Sequence, residues 1–417
     1  MHATPRRACA FALCAFPLTA AAQPCTPAWD PDQDEFTASG AVRALLSPSP
    51  FGEAVAGGAF TSIAEASTPF IAALEEDLWL PIGSGFDDAV FALANYQNAL
   101  IAGGKFTASG AVVAHRIARW NFTEWEPLGA GVDGSVFAMR VFDDGVADTL
   151  IVTGEFQSAG GAPASGVAAW DGNTWSALDT GLQAGEKTGA ALAIFNDGAN
   201  DMVVVGGSFL GAGGQPSPNI VSWDGANWNA MGAGLNGTVR ALVVYQGTLI
   251  AGGDFTASGA TPVSHLAQWD GAAWIPFAGG ANGPVHALEV VDGELIAGGE
   301  FLHIGSVSAN RIAIFDGAAW TPFNDGSTSI VRAMAPHGDD VLVGANAVTP
   351  AGSDAIALRR WLPCDDEIPG DLNGDGAVDG ADLAALLAQW GGAGEADMND
   401  DSIVNGADLA TLLSNWG

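Results

Sequence analysis

Apolar residues in this chain come in short runs, and the runs repeat. A run ending in a Gly-Gly-x-Phe-like phrase occurs at AVAGGAF (to Phe60), LIAGGKF (Phe106), LIVTGEF (Phe156), VVVGGSF (Phe209), LIAGGDF (Phe255), LIAGGEF (Phe301) and VLVGANA (Ala347). Successive copies are 46, 50, 53, 46, 46 and 46 residues apart. Each is preceded by a VxAL-like run: VRAL (42–45), VFAL (90–93), VFAM (136–139), AALA (190–193), VRAL (239–242), VHAL (285–288) and VRAM (331–334). An IAxW-like run follows, as in IARW (117–120), and a fourth run opens on a second Trp. Short runs of this kind, bounded by turn residues, predict strands. Asp-Gly separates the third and fourth runs in WDGNTW (170–175), WDGANW (223–228) and WDGAAW (269–274). It predicts a hairpin with a type I′ turn, which needs positive φ. Nothing between residues 26 and 364 sustains a helical period. Seven four-strand units of this length predict an all-β fold, a seven-bladed β-propeller.

The tryptophans set the register. Trp120, Trp170, Trp223, Trp269 and Trp361 share one slot, with Phe315 and Leu74 in the remaining copies. Trp79, Trp125, Trp175, Trp228, Trp274 and Trp320 share the other. The last copy stops after its third strand at Trp361, while PAW (27–29) at the other end supplies a lone fourth-strand remnant. The N-terminal strand is therefore expected to complete the last blade and close the ring, which removes exposed sheet edges. Cys25 and Cys364 then fall where other copies carry the Asp-Gly turn. A disulfide between them would replace the missing covalent turn, worth ~5 kcal/mol in the chain-entropy picture for so long a loop.

A different pattern occupies the C-terminus. GDLNGDGAVDGADLAALLAQWG (370–391) and ADMNDDSIVNGADLATLLSNWG (396–417) are two copies of one loop-plus-helix unit, 26 residues apart. Oxygen-bearing residues stand at loop positions 1, 3, 5, 9 and 12: Asp371, Asn373, Asp375, Asp379, Asp382, and Asp397, Asn399, Asp401, Asn405, Asp408. Position 7, Ala377 or Ile403, would contribute a backbone carbonyl. A hard cation needs six to eight oxygens wrapped by a tight turn, so two calcium sites are expected. Gly376 makes that turn in the first loop; Ser402 replaces it in the second, which is expected to bind more weakly. Leu383, Leu386, Leu387 and Leu409, Leu412, Leu413 predict one apolar face on each helix.

This tail resembles a type I dockerin, because both loops end in Asp where an ordinary EF-hand ends in Glu. The resemblance implies a small all-α calcium-binding domain that docks on a cohesin-like module. Residues 23–364 in turn resemble the kelch-like propeller repeats of secreted bacterial proteins and of fungal cell-polarity markers. The expected organisation is a signal peptide (1–22), the propeller (23–364), a linker (365–369) and the dockerin-like domain (370–417).

Charge and export narrow the function. The chain carries 47 Asp+Glu against 13 Lys+Arg, a net −34, which makes nucleic acid and anionic membranes poor partners. Arg6-Arg7, the apolar run Ala8–Thr19 and Ala20-Ala21-Ala22 read as a signal peptide cleaved after Ala22. No later segment is apolar for long enough to span a membrane. The product is expected outside the cell or at its surface.

No catalytic constellation stands out. The tryptophans occupy repeat slots and read as packing. No helix follows the paired glycines, so they are not phosphate loops. Tyr96 and Tyr245 are the only tyrosines, and His115 and His265 fall just before third strands, where other copies have Asn219 or Asn310. One row is different. The second position of VxAL holds Arg43, Arg240, His286 and Arg332, on what should be the innermost strand. The position before Phe holds Lys105, Glu155, Asp254 and Glu300, and hairpin register sets Asp254 beside Arg240 and Glu300 beside His286. The row reads either as local ion pairing at the mouth of the channel or as a polar binding mouth for a glycan or an anionic small molecule. The leading expectation is a non-catalytic recognition or surface protein whose propeller binds a glycan or an extracellular protein. A dockerin-borne carbohydrate-active enzyme, or a structural cell-surface component, are the alternatives.

Overall fold

A computed structural model describes residues 28–29, 37–346 apart from 51, 64–65, 77, 144, 146, 324–325 and 339, then 357–362, and in the tail 370, 372, 378, 380–392, 394, 396–399 and 403–416. Contacts divide the chain into Ala28–Pro363 and a second unit of Met1–Pro27 with Cys364–Gly417. The expected signal peptide, the linker and both cysteines lie outside the described residues.

The larger unit holds seven four-stranded antiparallel sheets. The VxAL runs are their first strands: Val42–Leu46, Val90–Tyr96, Val136–Asp143, Thr188–Asn196, Val239–Tyr245, Val285–Val291 and Val331–His337. Each lies at one edge of its sheet, followed by the Gly-Gly strand, the IAxW strand and the second-Trp strand. The first strands neighbour one another in a closed cycle, the seventh lying against the first. The N-terminal strand completes the seventh sheet. Ala28–Trp29 pairs with Leu358–Leu362, Trp29 opposite Trp361, and supplies the fourth strand of the seventh sheet.

The paired glycines have a steric reason. A Cβ on Gly57, Gly103, Gly252 or Gly344 would come within 2.6–2.7 Å of a γ-methyl of Val90, Val136, Val285 or Val42, the first valine of the next sheet. The second glycine of each pair faces the backbone of its own hairpin partner. Close-packed interiors leave no room for a methyl at such positions. The Phe that follows is buried in every described copy.

The tryptophan slots face each other across the outer hairpin, with ring centroids 5.2–5.4 Å apart at Trp120–Trp125, Trp170–Trp175, Trp223–Trp228 and Trp269–Trp274. In four sheets the indole N–H of the second member ties the sheet to the segment before it: Trp125 donates to Ile82 O (3.1 Å), Trp175 to Leu128 O (2.8 Å), Trp228 to Leu178 O (3.0 Å) and Trp320 to Ala278 O (3.1 Å). These rings are packing elements.

The Asp-Gly turns form hairpins, but not by the expected geometry. Trp170 pairs with Trp175, leaving four loop residues rather than two. Gly172 alone takes positive φ (97°), and Asp171 does not. Instead the Asp171 carboxylate accepts the N–H groups of Asn173 and Thr174. Asp224, Asp270 and Asp316 repeat this arrangement. The aspartate acts through its side chain, which caps the turn with the left-handed backbone confined to the glycine.

In the tail, helix α1 (Gly380–Ala388) and helix α2 (Gly406–Ser414) pack over a small core of Val378, Leu386, Ala396, Val404 and Leu412. Leu383 and Leu409 flank it, but Leu387 and Leu413 are exposed, contrary to the expected three-leucine face. Residues i and i+1 diverge by about 100° on a helix, so only one of each Leu-Leu pair enters so narrow a core. Among the described residues no helix is long and apolar enough to cross a membrane.

Candidate functional site

A β-bulge interrupts every first strand at one register, and it isolates the second residue of the VxAL run. The bulged residues are Arg43, Phe91, Phe137, Ala190, Arg240, His286 and Arg332. A bulge leaves its residue unpaired and re-aims the side chain. All seven line one cavity of about 330 Å³ at the mouth of the central channel. The fourth copy corrects the sequence register. Its matching run is Gly189–Leu192, one residue earlier than AALA, because Gly189 stands in the valine slot.

The ring has two halves. Going round the cycle, Arg240, His286, Arg332 and Arg43 belong to consecutive sheets, and so do Phe91, Phe137 and Ala190. Phe91 and Phe137 stack with centroids 5.5 Å apart. The Arg43 guanidinium lies 5.6 Å from the Phe91 centroid, within cation–π range. The arginine–histidine arc was legible in the sequence; the aromatic arc was not, because VFAL and VFAM read as plain apolar strand.

The hairpin pairing expected for the arc is present. Arg240 donates to both oxygens of Asp254, at 2.7 and 2.6 Å. His286 Nε2 and Glu300 Oε1 are 2.9 Å apart. The same Glu300 oxygen is 3.9 Å from Arg332, whose Nε donates to Asn346 Oδ1 at 3.2 Å. Lys105, in the second sheet, pairs with Asp88 at 3.5 Å. Glu155, in the third, accepts from Ser135 Oγ at 2.8 Å. Burial, then the nearby Arg332 charge, lowers the His286 pKa to about 4 against the pull of Glu300, so the ring is neutral at pH 7. Burial, then Arg43, also lowers the Arg332 pKa, though a guanidinium stays charged.

Deeper in the channel the same strands present Arg140 and Glu289. Burial raises the Glu289 pKa, and the Arg140 charge opposes that. Neither was singled out from sequence; the signal was a charged residue in an otherwise apolar column, two places after the VxAL alanine.

Of the twelve expected calcium-loop positions, Asp371, Asn373, Asp375, Ala377, Asp379 and Asp401 lie outside the described residues. The rest belong to built loop ends. Asp382 and Asp408 are fully buried. Asp382 accepts the Leu372 N–H at 2.8 Å. Asp408 accepts from Asn405 (2.7 Å), Met398 (2.9 Å) and Asn399 (3.3 Å). These backbone donors, Asn405 first, hold its carboxyl below the usual range. Asn405 caps helix α2 by accepting from Ala407, and its amide donates to the Ile403 carbonyl. Among the described residues no three His, Cys, Asp or Glu side chains converge as a cation cage. His265 and Asn219 share one left-handed slot before the third strand (φ 66° and 64°), and His115 with Asn310 occupies the one before it (φ 44° and 43°). The histidines are thus placed by backbone geometry, as expected.

Residues 182–336 match the family described as the Rax2 C-terminal beta propeller domain. The chain contains a β-propeller. No curated protein matches it. Among solved structures, a computationally designed protein, Ika8, aligns at 17% identity and a TM-score of 0.46, over 78% of this chain and 98% of its own. The extracellular domain of a hybrid two component system from B. thetaiotaomicron aligns at 12% identity and a TM-score of 0.49 over 77% of this chain, which spans 38% of that one.

Proposed function

We propose that this is an exported recognition protein. Its seven sheets are the blades of a kelch-like propeller that binds a glycan or an extracellular protein at the channel mouth. Its tail is a dockerin-like domain that folds around two calcium ions and tethers the protein outside the cell to a cohesin-like module. The observation that carries the recognition half is the ring of bulged residues. Three of its seven slots hold arginine and a neutral histidine completes their arc, in a chain of net charge −34. The tail reading rests on an all-oxygen donor set, on loop spacing, and on the buried Asp382 and Asp408 at the loop ends. Asp371, Asn373, Asp375, Asp379, Asp382 and the Ala377 carbonyl would hold one ion; Asp397, Asn399, Asp401, Asn405, Asp408 and the Ile403 carbonyl would hold the other. The ions would neutralise the loops and fix their shape.

The deciding experiment incubates the full-length chain with insoluble and soluble polysaccharides, and measures retained protein and released reducing ends in the same tubes. Retention without release supports recognition. Release would instead make the protein a carbohydrate-active enzyme, and neither would shift the weight to a protein partner or a structural surface role. Calcium chelation should lower far-UV helical signal while the strand signal persists. A strand signal that collapses with it would overturn the modular reading.

A further inference from the structure

The recognition reading leaves open what the mouth binds, and the distribution of charge within the ring narrows it. In the fifth sheet, the residue after the second glycine is Asp254, and it neutralises Arg240. In the sixth it is Glu300, which serves His286. In the seventh it is Asn346, which is neutral, so Arg332 reaches sideways to Glu300 at 3.9 Å. In the first sheet the same position is Ala59. Arg43 therefore has no carboxylate at the facing position of its own hairpin, whose one acid, Glu53, sits at the far turn against His337, and among the described residues no ion pair forms with Arg43. Its guanidinium faces the cavity beside Phe91, in the sheet next to that of Arg332. Glu186 lines the cavity from the turn that leads into the fourth sheet, across the ring from the first and seventh. It repels an anion on that side and so orients one toward Arg43.

Resting on the recognition reading, we propose that the channel mouth binds a small ligand carrying a single carboxylate-type anion on a flat apolar face. Arg43 and Arg332 form the anion clamp, and the Phe91–Phe137 pair is the platform for the face. A guanidinium presents a planar fork of donors matched to two carboxylate oxygens. Stacked aromatic rings offer a flat apolar surface of the kind that a pyranose C–H face or an aromatic ring covers. The cavity, about 330 Å³, lies at the small end of ligand pockets and suits one ring or two. The strongly acidic surface works against polyanions, and so favours a single local charge. An acidic sugar and an aromatic acid share this chemistry.

The test is calorimetric titration of the full chain with two matched pairs: methyl galacturonoside against methyl galactoside, and 2-naphthoate against 2-naphthamide. At least one carboxylate should bind about tenfold or more tightly than its neutral partner. Binding of only the sugar acid assigns the site to acidic glycans, binding of only naphthoate assigns it to aromatic acids, and binding of both shows that the shared chemistry is read. Ala59→Asp places a carboxylate where Asp254 stands in the fifth sheet, at an exposed position, without removing any arginine. It should weaken carboxylate binding about tenfold or more, and Arg43→Gln should do the same, with thermal melts unchanged. Equal binding of the neutral partners, no binding of either acid at millimolar concentration, or an Ala59→Asp variant that binds like the parent would overturn the proposal. If neutral polysaccharides were still retained in that event, the recognition reading would stand and only the anion assignment would fall.

Discussion

Thr153 and Gly189 are each out of step with their repeat, and they face each other. Elsewhere a glycine of the second strand receives a valine from the next sheet; here the third sheet has Thr153 and the fourth answers with Gly189. The Thr153 hydroxyl is buried and donates to Gly166 O at 2.6 Å, and a Cβ on Gly189 would collide with it. Gly189→Val should therefore destabilise by about 1–3 kcal/mol through overpacking. Thr153→Gly should cost a similar amount through the lost contact and hydrogen bond. The double variant restores the usual arrangement, so urea unfolding should show its cost well below the sum, by at least about 1 kcal/mol. This exchange also explains the register slip in the fourth copy: without a valine, GAAL does not look like VxAL. His286 gives a second expectation at this scale. Its pKa falls from 6.5 to about 4 on folding, so below pH 6.5 the unfolded chain takes up a proton that the folded ring refuses. The His286 contribution to stability is complete above pH 6.5 and is lost as pH falls toward 4. Denaturation midpoints for wild type and His286→Gln should converge across that window; parallel curves would mean that His286 is not buried neutral.

At the scale of strands and turns, what could be read from the sequence followed the two-residue alternation and the tryptophan spacing. What could not be read broke that alternation. Each first strand is bulged at the mouth, so the side chain that matters most is the one a plain strand pattern assigns to no face. Arg at that place drew notice because the chain has few arginines; Phe91 and Phe137 blended into their apolar runs. The Asp-Gly turns show the same limit, since the dipeptide marks a hairpin but does not choose between a backbone and a side-chain solution. A further capping pattern was readable and missed. An Asp or Asn three residues before the start of the first strand accepts two N–H groups of a short accessory ladder, as with Asp87 from Thr107 and Ala108, and Asn236 from Thr256 and Ala257. The inter-sheet indole bonds are the clearest test of how neighbouring elements hold together. Trp228→Phe keeps most of the packing and leaves Leu178 O without its donor. It should cost about 1–3 kcal/mol, measured against Trp223→Phe, whose ring donates no such bond among the described residues.

For the whole molecule the decisive element is a strand of only two residues. Ala28–Trp29 turns three strands of the seventh sheet into four, and the Trp29 ring packs against Phe323 (5.4 Å between centroids) with the Arg359 guanidinium 4.0 Å from its own centroid. Closure by a chain terminus makes the propeller's ends interdependent, because the seventh sheet is built from residues more than 300 positions apart. Such long-range pairing is slow to form and is the first to open if its anchor is weakened. Trp29→Ala removes a buried ring and should destabilise by about 3–5 kcal/mol, with the Leu358–Leu362 edge exposed. An open edge pairs with other chains, so the variant should both melt lower and self-associate with rising concentration in analytical ultracentrifugation. The expected Cys25–Cys364 bond predicts a companion effect. Reductant should lower the wild-type melt in the same direction, and the added effect of reductant on Trp29→Ala should be smaller, since both act on one closure. If Trp29→Ala melts as the wild type does and stays monomeric, the ring is held by its inter-sheet packing alone and the terminal strand is a passenger.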